Sequence, residues 1–123
     1  MKREDFLVNS SNVLNLIKKG YYQGYTSTLV LANVHYSLKK FSNQENSRET
    51  LKKLIKIINV LNITDQITEK ALYSDFKDFE DAIQYFCALE NDIDCIITRN
   101  KKDFSKSSIP VYTPTEFLNK FIT

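Results

Sequence analysis

At 123 residues and a formal charge of +2, the chain is one domain, residues 1–123, able to bury roughly two thirds of the surface it would expose unfolded. Hydrophobic residues at 42% and charged residues at 26%, with only two Gly and two Pro, exclude long disordered or low-complexity stretches. The charge is too small to argue for nucleic acid by itself, because proteins that track a phosphate backbone carry a clear basic face.

Met1 is followed by Lys2-Arg3-Glu4-Asp5 rather than an apolar leader, and no apolar run approaches a membrane span, which predicts a cytoplasmic chain with no membrane partner. Phe6, Leu7, Val13, Leu14 and Ile17 recur at helical spacing before Lys18-Lys19 and Gly20, predicting a first amphipathic helix. Aromatic-rich Tyr21 to Thr26 predicts a short strand. Ser27 or Thr28 then caps a helix carrying Leu29, Leu31, Ala32, Val34, Tyr36 and Leu38, ending near Phe41.

Ser42 to Asn46 reads as a polar loop, and Ser47 as the residue before a helix whose buried face is Leu51, Leu54, Ile55 and Ile58. Val60 to Ile63 is a predicted strand. Thr64 or Asp65 caps a helix through Tyr73, Asp75 to Asp78 forms the next start signal, and Ala82 to Leu89 continues as a buried helix. Asp94 to Thr98 is a third strand. Ile109-Pro110-Val111-Tyr112 suits an edge strand, since Pro supplies no ladder donor. Thr113-Pro114-Thr115-Glu116 reads as a capping box with Pro at the first helical position, leading into Phe117, Leu118 and Phe121. Cys87 and Cys95 lack the spacing of a zinc site or a disulfide framework and read as reduced core residues.

Strands separated by helical segments predict an α/β fold with a mainly parallel sheet and helices on both faces, a three-layer arrangement. In such a sheet the helices start at the edge where the strands end, so Asp78, Asp81, Thr98, Asn100 and Asp103 are expected on one rim. Asp78 and Asp81 are three apart and point the same way on a helix, a placement that suits a shared hard cation, although spacing alone favours an N-cap and a first-turn acid. Asp103 adds a carboxylate from the loop after the third strand, with Asn100 and the Thr98 hydroxyl as polar company, although Asn and Asp also make local bonds in turns. Asn33, in the helix after the Tyr21 strand, should face the rim that holds Asp81 and offers a neutral carbonyl oxygen. His35, the only histidine, is two residues away and points elsewhere, which argues against a Ser/His/Asp or Cys/His apparatus.

The ordered segments DFEDAIQ, IITRNKKDF and IPVYTPTEFL, with GYTSTLVLANVHYSLKK before them, resemble the PIN-domain nucleases, including VapC-type toxins of toxin–antitoxin pairs. The resemblance covers most of the chain. It implies a parallel sheet of strand order 3-2-1-4-5 whose acidic rim binds Mg²⁺ or Mn²⁺ for hydrolysis of single-stranded RNA. By position, Asp81, Asp103 and Asn100 would be catalytic, with Asp81, Asp103 and Asp78 as metal ligands. Asn33 and Thr98 would support that set, and Lys101 and Lys102 would meet the RNA backbone. A homodimer and an antitoxin protein are the implied partners. PIN domains open on an apolar strand ending in Asp-x-Asn, and Lys2 to Phe6 instead looks like the connection after it. The expectation is therefore a PIN-like fold whose central first strand and first carboxylate are missing, and with them the certainty of catalysis. The alternative is an inactive PIN-like remnant that acts as a binding or dimerisation module.

Overall fold

Hydrogen bonding divides the strands into two parallel pairs, and one helix contributes to the core beside each. The computed structural model describes residues 12–40 and 43–121. Helix α1 includes residues 12–18, and the earlier part of the predicted first helix lies outside the described residues, as do Phe41 and Ser42. Strand β1 (Gly24–Ser27) leads into α2 (Thr28–Lys39) and α3 (Gln44–Leu54), followed by β2 (Ile58–Leu61), α4 (Asp65–Leu72) and α5 (Phe79–Glu90). Then come β3 (Ile96–Ile97), a 3-10 turn (Lys101–Phe104), β4 (Val111–Tyr112) and α6 (Pro114–Phe121). The order of helices and strands is the one the hydrophobic pattern predicts.

β1 pairs in parallel with β2, Gly24 opposite Ile58 and Ser27 opposite Leu61. β3 pairs in parallel with β4, Ile96 opposite Val111 and Ile97 opposite Tyr112. The two pairs are separate sheets, so the expected parallel arrangement is present while a continuous sheet is not. Among the described residues no strand bridges β1 and β3. Their common element is α5. Ala82, Ile83 and Cys87 pack against Ile67 and Ala71 of α4, while Tyr85 and Ala88 pack against Phe104 and Ile109 beyond β3. Ala82 is 0% exposed, and its small side chain allows the close approach of α4. Phe76 sits where the two clusters meet, stacked on Tyr85 at 5.0 Å and edge-on to Phe86 and Phe104.

Local chemistry sets the element ends. Ser27 accepts from the Val30 N–H, Thr64 from Ile67 and Asp78 from Asp81, each a side-chain N-cap. The capping box at α6 forms as its sequence implies. The Thr113 N–H donates to Glu116 Oε1 at 2.9 Å, and the Glu116 N–H donates to Thr113 Oγ1 at 3.2 Å. Gly20 takes φ +88°, which ends α1 in a left-handed turn. At Gly24 a Cβ would lie 2.8 Å from Ile17 Cδ1, so the missing side chain is what lets α1 rest on β1.

Element bounds move: β1 opens at Gly24 rather than Tyr21, β3 narrows to Ile96–Ile97, and two further shifts have a local cause. α3 starts at Gln44, because Asn43 Oδ1 accepts from the Asn46 N–H at 2.8 Å and Asn is among the strongest N-caps. Ser47 is therefore inside the helix, buried, with its hydroxyl donating to the Asn43 carbonyl. β2 runs two residues earlier than predicted, since α3 stops at Leu54 and Ile58 joins the strand, leaving Ile55 exposed. Ile67, 2% exposed between α4 and α5, is the test of this core. Ile67→Ala is expected to lower stability by about 2–4 kcal/mol, read from the midpoint of urea unfolding.

Candidate active site

The first turn of α5 and the 3-10 turn after β3 face each other across a cavity of about 420 Å³ lined by Asp75, Asp78, Asp81, Lys102, Asp103 and Lys106. Asp78 sits in extended backbone as the N-cap of α5, and its Oδ1 accepts from the Asp81 N–H at 2.9 Å. That bond fixes where the helix begins and so where Asp81 points. Asp103 is placed by its neighbour: Phe104 is 4% exposed and lodged against Tyr85 of α5, while the Asp103 N–H donates to the Asn100 carbonyl at 3.0 Å. Tyr85 adds a second anchor, since its hydroxyl lies 2.9 Å from Ser108 Oγ and accepts from the Ser108 N–H.

The carboxyl of Asp81 is pushed up to about 6, first by partial burial and then by the charges of Asp78, Asp103 and Glu80. Ionising it adds a negative charge to an already negative corner, so anything positive that enters the cavity next to it is favoured. Lys102 and Lys106 line the same cavity, the latter with its Nζ 4.0 Å from Asp75 Oδ2 at an exposed edge.

Among the described residues, no three His, Cys, Asp or Glu side chains gather closely enough to hold a metal ion. Of the four aspartates that line the cavity, Asp75 lies at an exposed edge beside Lys106 and Asp78 spends one oxygen as a cap, which leaves Asp81 and Asp103 as the pair. Two carboxylates suit one Mg²⁺, which keeps several waters and takes its remaining ligands from substrate phosphate. They do not suit two ions.

The other predicted residues have their own partners. Asn33 donates from Nδ2 to Glu80 Oε2 at 3.0 Å, which puts it at the first turn of α5, one residue from Asp81 and outside the cavity lining. The Asn100 N–H donates to Thr98 Oγ1 at 3.2 Å, a local turn bond. Lys101 pairs with Glu116 of α6 at 3.2 Å. His35 keeps Nε2 buried with no hydrogen-bond partner among the described residues. Cys87 is buried and Cys95 half-buried, both free thiols whose proton affinity burial raises. Sequence reasoning missed Lys106, Lys77 and Asp75 as members of the cavity. Lys106 is three residues after Asp103, one 3-10 turn further on, a spacing that would have found it.

A family model described as PIN domain matches residues 1–102. The chain belongs to the PIN domain family. The matched span contains α5, Asp78, Asp81, Asn33, Thr98 and Lys102 of this PIN domain and stops one residue before Asp103. No curated protein and no solved structure matches the chain. Its mixed helices and short parallel strand pairs are those of a PIN-like α/β fold, and the family carries a nuclease-like architecture. No helix among the described residues is long and apolar enough to cross a membrane.

The folded PIN domain holds the Asp81 proton more tightly than the unfolded chain does, so the native state binds more protons between about pH 4 and pH 6. Through this group stability is therefore highest below that window, falls as pH rises through it and is level above it. Asp81→Asn should remove that slope and be the more stable protein at pH 7 by about 1 kcal/mol, after discounting for solvent around this half-exposed group. Urea unfolding of both proteins from pH 3.5 to pH 8 checks the difference.

Proposed function

We propose that this PIN domain is a metal-dependent endoribonuclease in which Asp81 and Asp103 hold one Mg²⁺ or Mn²⁺ ion. The observation that carries the reading is the meeting of these two carboxylates and three lysines, Lys77, Lys102 and Lys106, at one cavity, with the Asp81 proton affinity raised by partial burial and by its acidic neighbours. When bound, the ion polarises a phosphodiester and lowers the pKa of a water at neutral pH.

The chain's own residues do the rest. Asp78 holds Asp81 at the helix start through the cap bond. Phe104, wedged against Tyr85, holds Asp103 opposite it. Lys102 and Lys106 meet the phosphate from the far side of the cavity, while Lys101, engaged with Glu116, reaches RNA only if that exposed pair opens. Thr98 and Asn100 stiffen the loop that carries these groups, and the Asn33 amide bonded to Glu80 tempers the charge beside Asp81. Proton and metal compete for Asp81, so metal binding strengthens as pH rises through about 6.

The finer form of the proposal is a cytoplasmic toxin of a toxin–antitoxin pair, a homodimer acting on single-stranded RNA and held by an antitoxin protein. It rests on the resemblance of the α5 and β3 segments to VapC-type chains. A second reading is favoured by the two-carboxylate set: a PIN-like module without hydrolysis, kept for binding or dimerisation.

Cleavage of a labelled single-stranded RNA with Mn²⁺ separates the two. The nuclease reading expects metal-dependent cleavage that Asp81→Asn or Asp103→Asn lowers by roughly 100-fold and Lys106→Ala by roughly tenfold in kcat/KM. A folded chain whose rate equals that of Asp81→Asn, or which has none, leaves the module reading.

A further inference from the structure

From Thr28 to Lys40, α2 and its C-cap hold no Asp or Glu and end on Lys39-Lys40. Residues three, four and seven apart share a helix face, and Asn33, Tyr36, Ser37 and Lys40, so placed, are all exposed. One end of this stripe is anchored. Asn33 Nδ2 donates to Glu80 Oε2 at 3.0 Å, which ties the stripe to the first turn of α5, one residue from Asp81. At a rise of about 1.5 Å per residue, Tyr36 lies about 4.5 Å and Lys40 about 10.5 Å further along the helix than Asn33.

Tyr36 has no role in the core. Hydrophobic periodicity counts it with the apolar residues of α2, yet it is 63% exposed and belongs to neither buried cluster. Lys40 Nζ lies over its ring, 5.1 Å from the centroid. The ammonium takes one face and steadies the ring, and the exposure leaves room for another flat group. An exposed aromatic beside a cation, on a helix with no acid of its own, suits a polymer that alternates flat bases with phosphates. An apolar helix of a protein partner would cover Asn33, Ser37 and Lys40 on the same face and leave their polar groups unpaired. A duplex keeps its bases stacked on one another and has none to offer the ring.

We propose that Tyr36 and Lys40 form a positioning subsite for single-stranded RNA, in which the Tyr36 ring stacks on a base near the phosphate held at the acidic cavity and Lys40 pairs with the adjoining backbone. The inference deepens the nuclease reading and rests on it for the phosphate at Asp81 and Asp103; the base contact rests on α2. Neither residue touches the reacting atoms.

Two readouts on the full chain test the subsite: anisotropy of a fluorescein-labelled single-stranded RNA of mixed sequence in EDTA, and Mn²⁺-dependent cleavage of the same RNA. Tyr36→Ala is expected to weaken binding roughly fivefold to 100-fold, and to raise KM rather than lower kcat, as loss of uniform binding does. Tyr36→Phe keeps the stacking face and binds like the native chain, whereas Tyr36→Leu falls with Tyr36→Ala. Lys40→Ala lowers the slope of log affinity against log salt by about one, and Lys40→Arg restores it. In RNAs made abasic at each position in turn, one position should erase the penalty of Tyr36→Ala. The urea midpoints of these variants should match that of the native chain, since the ring is exposed.

No measurable RNA binding by the native chain overturns the subsite, as does equal binding by Tyr36→Ala, equal loss in Tyr36→Phe, or a duplex bound as well as the single strand. Self-association lost in Tyr36→Ala with RNA binding intact overturns it in favour of a contact between protein chains. Binding that depends on Tyr36 without cleavage removes the nuclease reading and keeps the subsite; cleavage with an unchanged KM in Tyr36→Ala does the reverse.

Discussion

Everything in this molecule leans on the two-sided packing of α5. One side of that helix, Ala82, Ile83 and Cys87, closes against α4, and the other, Tyr85 and Ala88, closes against Phe104 and Ile109. Phe76, in the loop before α5, packs on both clusters beside it. Because Phe104 follows Asp103 directly and Ala82 follows Asp81 directly, the burial that holds the core together also brings the two carboxylates to the lining of one cavity. Apolar burial is not directional, but it gains direction where a buried residue adjoins a polar one on a short helix or turn.

The cost of that arrangement is visible at Asp81. A carboxyl placed beside three others and partly removed from water resists ionisation. A structural cap needs only Asp78, which already fills that role. Asp81 adds negative charge without a cation to balance it at hydrogen-bond distance among the described partners, although Lys77, Lys102 and Lys106 line the same cavity. That mismatch is what a stability argument leaves unexplained and a ligand argument accommodates.

Features encoded within a few residues were legible in the chain alone. The cap at Asp78 and the capping box at Thr113 and Glu116 are read from spacing, because their bonds close within one helical turn, while spacing leaves Thr64 and Asp65 both open as the cap of α4 and the Thr64 bond to Ile67 decides. The order of elements follows from hydrophobic periodicity in the same way. The start of α3 was misplaced because Asn43 and Ser47 are both competent caps and only packing, which buries Ser47, separates them. The shift of β2 has a similar origin, since Leu54, Ile55 and Ile58 suit a helix face or a strand. The meeting of Asp81 with Asp103 was legible through topology, whereas Lys106 and Asp75 enter the cavity through the tertiary path of loops that carry no periodic signal. That the strands form two separate pairs is a matter of which edges meet, and local sequence does not encode it.

Glu116 is where the far end of the chain reaches back to the acidic loop. Its one carboxylate both completes the box that starts α6 and pairs with Lys101 in the turn that carries Asp103. Its proton affinity is lowered first by the Thr113 N–H and then by Lys101, so in mildly acidic solution it stays ionised where an ordinary glutamate begins to neutralise. Stronger acid unties two knots with a single proton: the last helix loses its opening clasp and the loop its outer mooring together. A peripheral helix thereby acts as ballast for the acidic loop.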